Sequence, residues 1–180
     1  MAEAKIIFPK FLLTGPPGVG KTTVVIRLAA LLGQKAVGFH TAELRENGRR
    51  VGFMVTTLGG QEGILAHVNF PSPHRVGKYG VDPASLGPAL TEVDTTLRSG
   101  EPRYLLIDEI GKMELMVPGF KELIRRVFQS NVPLVATAPS KPLPFIHELK
   151  NRPDVTLVQV TATNRERLPV EIYHRLTATR

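Results

Sequence analysis

Short runs of consecutive apolar residues alternate along the chain with segments whose apolar positions recur at helical spacing. That alternation predicts an α/β fold, a mainly parallel sheet flanked by helices on both faces. Phe11 to Thr14 reads as a buried strand. Thr22 to Leu32 reads as a helix whose Val24, Val25, Leu28, Ala29 and Leu32 form one stripe, stopped by Gly33. A helix over Pro83 to Arg98 puts Leu86, Leu90, Val93 and Leu97 on one face and ends at Ser99-Gly100, with Pro88 as a kink or as the true start. Further on come a strand (Tyr104 to Ile107), a helix (Phe120 to Phe128), a strand (Val132 to Ala138), a short helix (Pro144 to Leu149) and a strand (Val155 to Thr161). A final amphipathic helix over Asn164 to Leu176 is bent at Pro169.

One insertion departs from the rhythm. Ala36 to Leu44 and Val51 to Leu58 flank Asn47-Gly48, the dipeptide favoured where a two-residue turn needs positive φ twice, so an antiparallel hairpin is expected beside the parallel strands. From Gly59 to Val81 the chain is rich in Gly, Pro, Ser and His, which predicts loops with one short strand near Ile64 to Val68.

The 180 residues are enough for one domain spanning 1–180 with a real core, at about 150 residues per domain. No cysteine is present, which excludes disulfides, thiolate metal sites and thiol catalysis and suits a cytoplasmic setting. The first ten residues hold acidic Glu3 and only the short apolar run Ile6 to Phe8, unlike a signal peptide, and no run is long enough to span a membrane. Twenty-three basic against sixteen acidic residues leave +7, a surplus suited to phosphates or another polyanion.

The chemistry centres on Gly15-Pro16-Pro17-Gly18-Val19-Gly20-Lys21-Thr22, which matches G-x-x-x-x-G-K-[ST] between a strand and a helix. Such a loop turns backbone N–H groups inward around phosphate, and the helix N-terminus adds its positive dipole. Lys21 is placed to reach the β- and γ-phosphates and the Thr22 hydroxyl to ligate Mg²⁺, while Thr23 either contacts the α-phosphate or faces outward.

Asp108-Glu109 directly follows the apolar run Tyr104-Leu105-Leu106-Ile107, as when a buried strand delivers carboxylates to the ligand-binding edge of a parallel sheet. Asp108 is expected to hold the hydrated Mg²⁺ through its bound waters, opposite Thr22, and Glu109 to polarise a water for attack on the γ-phosphorus.

Other features carry less. Leu58-Gly59-Gly60-Gln61-Glu62 reads as a turn, and His67 and His74 lack a zinc spacing. Arg45, Arg49, Arg50, Arg75, Lys78 and Lys112 are cations from which one could meet the γ-phosphate. Thr137 sits where a strand-end hydroxyl senses that phosphate or serves structure alone. Asn164 suits a helix cap, and Arg165 suits either solvent or a nucleobase.

Thr14 to Thr23, the stretch Asp108-Glu109-Ile110-Gly111-Lys112-Met113-Glu114-Leu115, and Asn151-Arg152 with Asp154 are similar to the thermophilic nucleoside-triphosphatase family. Arg49 to Phe53 and Val76 to Tyr79 extend the resemblance over most of the chain. It implies an α/β phosphate-loop fold, slow hydrolysis of ATP, GTP and other triphosphates, and loose base preference. It also implies that Gly15 to Thr22 and Tyr104 to Gly111, Ile110 included, contact the nucleotide, with Glu109 as the catalytic acid.

Hydrolysis with Mg²⁺ as cofactor, with Lys21 and Glu109 catalytic, is therefore expected. A nucleoside, nucleotide or polynucleotide kinase, with the arginine-bearing segments as a lid, stays open as the alternative. A nucleic-acid-binding switch is motivated by the charge alone, since no recognition motif, aromatic strand face or contiguous basic run supports it.

Overall fold

Parallel strands covered on both faces read as largely apolar runs, and three such runs together with Ala36 to Phe39 form the centre of this fold. The structure, a computed structural model, describes residues 8–178, so the expected run Ile6 to Phe8 lies, except for Phe8, outside the described residues. The strands are β1 (Lys10–Thr14), β2 (Ala36–Glu46), β3 (Arg49–Thr57), β4 (Glu62–His67), β5 (Arg75–Val76), β6 (Tyr79–Val81), β7 (Tyr104–Ile107), β8 (Leu134–Thr137) and β9 (Val155–Gln159). They form one sheet in the order β5-β6-β4-β3-β2-β7-β8-β1-β9. The run from β2 to β9 is parallel, and β8 lies between β1 and β7 in register with both, Leu12 and Ile107 each pairing with Ala136.

Helices α1 (Lys21–Leu32) and α5 (Leu168–Thr177) cover one face. Their Val24, Val25, Leu28, Ile172 and Leu176 pack on Phe11, Leu13, Leu106 and Val135. Helices α2 (Gly87–Ser99), α3 (Phe120–Gln129) and α4 (Pro144–Lys150) cover the other. Val93, Phe120, Ile124 and Phe145 meet Leu12, Leu105, Ile107 and Leu134 there. Alternate strand residues thus fill opposite cores.

Three details differ from expectation. The antiparallel part is not a lone hairpin: β3, β4, β6 and β5 extend the sheet beyond β2. Within the Gly59 to Val81 segment β4 falls where a short strand was expected, whereas β5 and β6 were hidden because they are very short and lie at the sheet's end. Pro169 does not bend its helix, and Pro88 marks the true start of its helix, the second of the two expected alternatives. Each stands in the first turn, where its missing N–H costs nothing, so α2 starts at Gly87 after a 3₁₀ turn and α5 starts at Leu168. Asn164 therefore caps no helix; its side chain accepts from Thr161 N (2.8 Å) and donates to the Gln159 carbonyl (2.8 Å), fixing the turn after β9.

The hairpin at Asn47-Gly48 forms as expected, with φ of 48° and 76°. Leu58 to Glu62 is the tight turn between β3 and β4, closed by a 2.9 Å bond from Gly60 N to the Thr57 carbonyl.

Candidate active site

Every parallel strand ends at the same sheet edge, so the segments after β1, β7, β8 and β9 meet there. After β1, the loop Gly15-Pro16-Pro17-Gly18-Val19-Gly20 leads into α1. Gly20, with φ of 113°, sets the entry into the helix in a conformation that a side chain would strain. Pro16, Pro17 and Gly18 are exposed and Gly15 is buried. Lys21 folds back along the loop, its Nζ donating to the carbonyls of Gly15 (2.9 Å) and Pro16 (3.3 Å).

From β7, Asp108 arrives almost fully buried. Its carboxylate accepts from Thr22 Oγ1 at 2.7 Å and from Thr137 Oγ1, at the end of β8, at 2.5 Å. Burial pushes the Asp108 carboxyl up, while these hydroxyls, the nearby His40 ring and the Thr41 N–H hold it down in part. Glu109, half-buried beside it, is raised by burial and by the charge of Asp108, and lowered by the neighbouring Lys21. Ile110 is buried and donates its N–H to the Thr137 carbonyl (2.9 Å), tying the turn after β7 to β8.

Thr22, Lys21, Asp108 and Glu109 thus come together with the loop. Tyr104, Leu105, Leu106 and Ile107 do not reach it: they are buried strand residues, and Tyr104 stands at the opposite end of β7, beside a cleft shared with Arg103. Their part is to fix where Asp108 emerges. Thr23 is exposed and, with Gly20, Arg165 and Glu166, lines a cleft of about 250 Å³. Arg165 lies across Gly20 and donates to the Val19 carbonyl (3.3 Å).

Of the candidate cations, Arg45 and Arg50 both pair with Glu43, at 2.6 and 2.7 Å, and Arg75 donates to the Lys78 carbonyl at 2.6 Å. Lys112 is exposed on the segment after β7. Two groups escaped the reading of the sequence: His40, whose Nδ1 is buried without a hydrogen-bond partner, and Glu114, fully buried against Gly111. A charged residue between Met113 and Leu115 was the available signal for the second.

A phosphate-type loop facing a buried aspartate across an inserted strand defines a phosphate-loop nucleotide-binding protein. The sequence pattern of the NTPase family matches residues 10–173. Nucleoside-triphosphatase THEP1 of Thermotoga sp. (strain RQ2) is 45% identical over 168 residues, covering 91% of this chain and 92% of the relative. The crystal structure of THEP1 from Aquifex aeolicus superposes with a TM-score of 0.84 at 35% identity, over 93% of this chain and 99% of that one. The solution structure of a human cancer-related nucleoside triphosphatase gives 0.79 at 37% identity, over 96% and 99%. This chain belongs to the nucleoside-triphosphatase family.

Proposed function

We propose that the chain, working as one domain, hydrolyses nucleoside triphosphates to diphosphate and phosphate with Mg²⁺, slowly and with broad base preference. The observation that carries this reading is the 2.7 Å bond from Thr22 to Asp108, which joins the phosphate loop to the acid-bearing strand at one point.

Loop amides and the α1 N-terminus bind the phosphates, and Lys21 exchanges the Gly15 and Pro16 carbonyls for phosphate oxygens. Thr22 and Asp108 offer a hydroxyl and a carboxylate, hard oxygen donors that fit Mg²⁺ when the remaining positions are phosphate and water. When bound, that ion neutralises charge on the phosphate oxygens. Glu109, an acid pushed upward beside this pair, orients a water and takes its proton.

Arg165 supports the broad base preference, because a guanidinium plane stacks on any base without reading its edge. Slow turnover is supported by the pairing of Arg45 and Arg50 with Glu43, since a transition-state arginine contributes about 10³ to 10⁵ in rate where one is present. The kinase alternative is not favoured: Glu109 beside Asp108 suits water as acceptor, and the relatives carry hydrolase names. The lack of cysteine agrees with a cytoplasmic setting, and no helix among the described residues is long and apolar enough to cross a membrane.

The test is phosphate release from ATP, GTP, CTP and UTP, with and without Mg²⁺ and with candidate hydroxyl acceptors. Release from all four that needs Mg²⁺ and no acceptor is expected. Diphosphate formation only when an acceptor is present would overturn the reading.

A further inference from the structure

Gly111 is caught between two carboxyl groups. A Cβ on it would lie 2.9 Å from Glu114 Oε2 and 3.0 Å from Glu109 Oε1, so both acids crowd the same point beside Gly111. Glu114 Oε2 also accepts the Gly111 N–H at 3.1 Å, within a wholly buried pocket. The short 3₁₀ turn Glu114–Met116 that carries it is closed by bonds from Leu115 N to the Gly111 carbonyl (3.0 Å) and from Val117 N to the Glu114 carbonyl (3.0 Å). An acid is not needed to close such a turn, yet a buried carboxyl is costly unless it is hydrogen-bonded.

We propose that Glu114 is a positioning residue for hydrolysis: by holding the Gly111 N–H and occupying the space beside Gly111 that Glu109 also approaches, it fixes the direction in which the Glu109 carboxylate points. This rests on Glu109 being the water-polarising acid. Glu109 follows a strand end and is only half-buried, so its side chain needs a support of this kind. The support comes from the segment just after it, whose far end is anchored in the core by Val117 and Phe120. Glu114 touches neither the phosphate loop nor Asp108 in any hydrogen bond the structure contains.

The experiment compares Glu114→Ala, Glu114→Gln and Glu109→Gln in steady-state phosphate release from ATP and in binding of a fluorescent non-hydrolysable ATP analogue. Misdirecting a reacting group by about 1 Å costs up to roughly 100-fold. Glu114→Ala is therefore expected to lose kcat by about 10- to 100-fold with KM and analogue binding within about twofold. Glutamine keeps an acceptor for the Gly111 N–H, so Glu114→Gln should recover most of the lost kcat. Glu109→Gln tests the underlying reading separately. If it keeps full turnover, Glu109 is not the water acid and that reading fails. If it loses turnover while Glu114→Ala keeps wild-type kcat, only the present proposal fails. Parallel loss of kcat and analogue binding in Glu114→Ala, unrelieved by glutamine, would mark a merely structural residue and overturn it too. Should Glu114→Ala not fold, Glu114→Met gives the decision: it fills nearly the same space but cannot accept the Gly111 N–H, so a fall in kcat at unchanged analogue binding is expected, and an unchanged kcat overturns the proposal.

Discussion

Thr22 and Asp108 are 86 positions apart in the chain, yet the hydroxyl of one donates to the carboxylate of the other at 2.7 Å. The contact spans β8, which separates β1, whose loop leads to Thr22 in the first turn of α1, from β7, which Asp108 follows, so the segments after two non-neighbouring strands reach the same point. Thr137 at the end of β8 completes the arrangement by holding the second Asp108 oxygen. The first turn of α1 and the end of β8 therefore each hold one oxygen of the same carboxylate.

Binding and turnover should separate between Lys21 and Glu109. Lys21→Ala removes a cation from the phosphate loop and is expected to weaken analogue binding by about tenfold or more, with turnover falling alongside. Glu109→Gln keeps the size and removes the proton acceptor. It should bind nucleotide like the wild type and lose about 10² to 10⁴ in kcat. Fluorescence titration and phosphate release read the two effects independently, and equal undiminished rates in both variants would refute both assignments.

Thr137→Val tests the buried end of the network. The Thr137 hydroxyl has no exposure and its bond to Asp108 is one of those holding that carboxyl down. Replacing it by a methyl leaves a buried oxygen short of a donor, at a cost of about 1–3 kcal/mol. Urea unfolding should show a lower midpoint at unchanged slope, with Thr137→Ser restoring most of the loss.

The parts of this site legible in sequence are those whose chemistry needs a fixed local pattern. The phosphate loop demands its glycines and its Lys-Thr pair at set spacing, and a strand buried on both faces must be apolar up to the point where Asp108 emerges. The roles of Thr137 and Glu114 depend instead on which strands become neighbours and on how a turn folds back. A threonine at a strand end and a glutamate amid apolar residues look the same in sequence whether or not they meet an aspartate or a glycine. For the same reason β5 and β6 were obscure, unlike the expected β4: their pairing is set by register with β4 and with one another, while their own residues read as turn and loop.

Arg165→Ala should reduce affinity for all four bases by a similar factor. Its side chain packs against Gly20 beside the cleft with Thr23 and Glu166, with its donors directed to the Val19 carbonyl and Glu166, so a base would meet the guanidinium plane and not a free pair of donors. Exposed cation–π contacts contribute about 0.5–1 kcal/mol, so a two- to fivefold rise in KM for ATP, GTP, CTP and UTP is expected, with kcat little changed. A rise confined to purines or to one base would show that this residue reads base identity.

Glu114 should also leave a signature in stability against pH. Burial, joined by the charges of Glu109 and Asp108, pushes its carboxyl from 4.5 to about 8, against the opposing pull of backbone N–H groups. The folded protein therefore keeps a proton that the unfolded chain releases, and bound protons in excess on the folded side make stability fall as pH rises. Its contribution is fully present below about pH 4.5, declines between 4.5 and 8, and levels off above 8. Glu114→Gln cannot ionise, and Asp108 and Glu109, raised in the same direction, remain in both proteins and largely cancel in the difference. Unfolding free energies measured from pH 4 to pH 9 should show the variant gaining on the wild type across that interval and most stable relative to it in alkali. A wild-type and variant pair with parallel profiles would mean that the Glu114 carboxyl is already ionised in the folded protein at neutral pH.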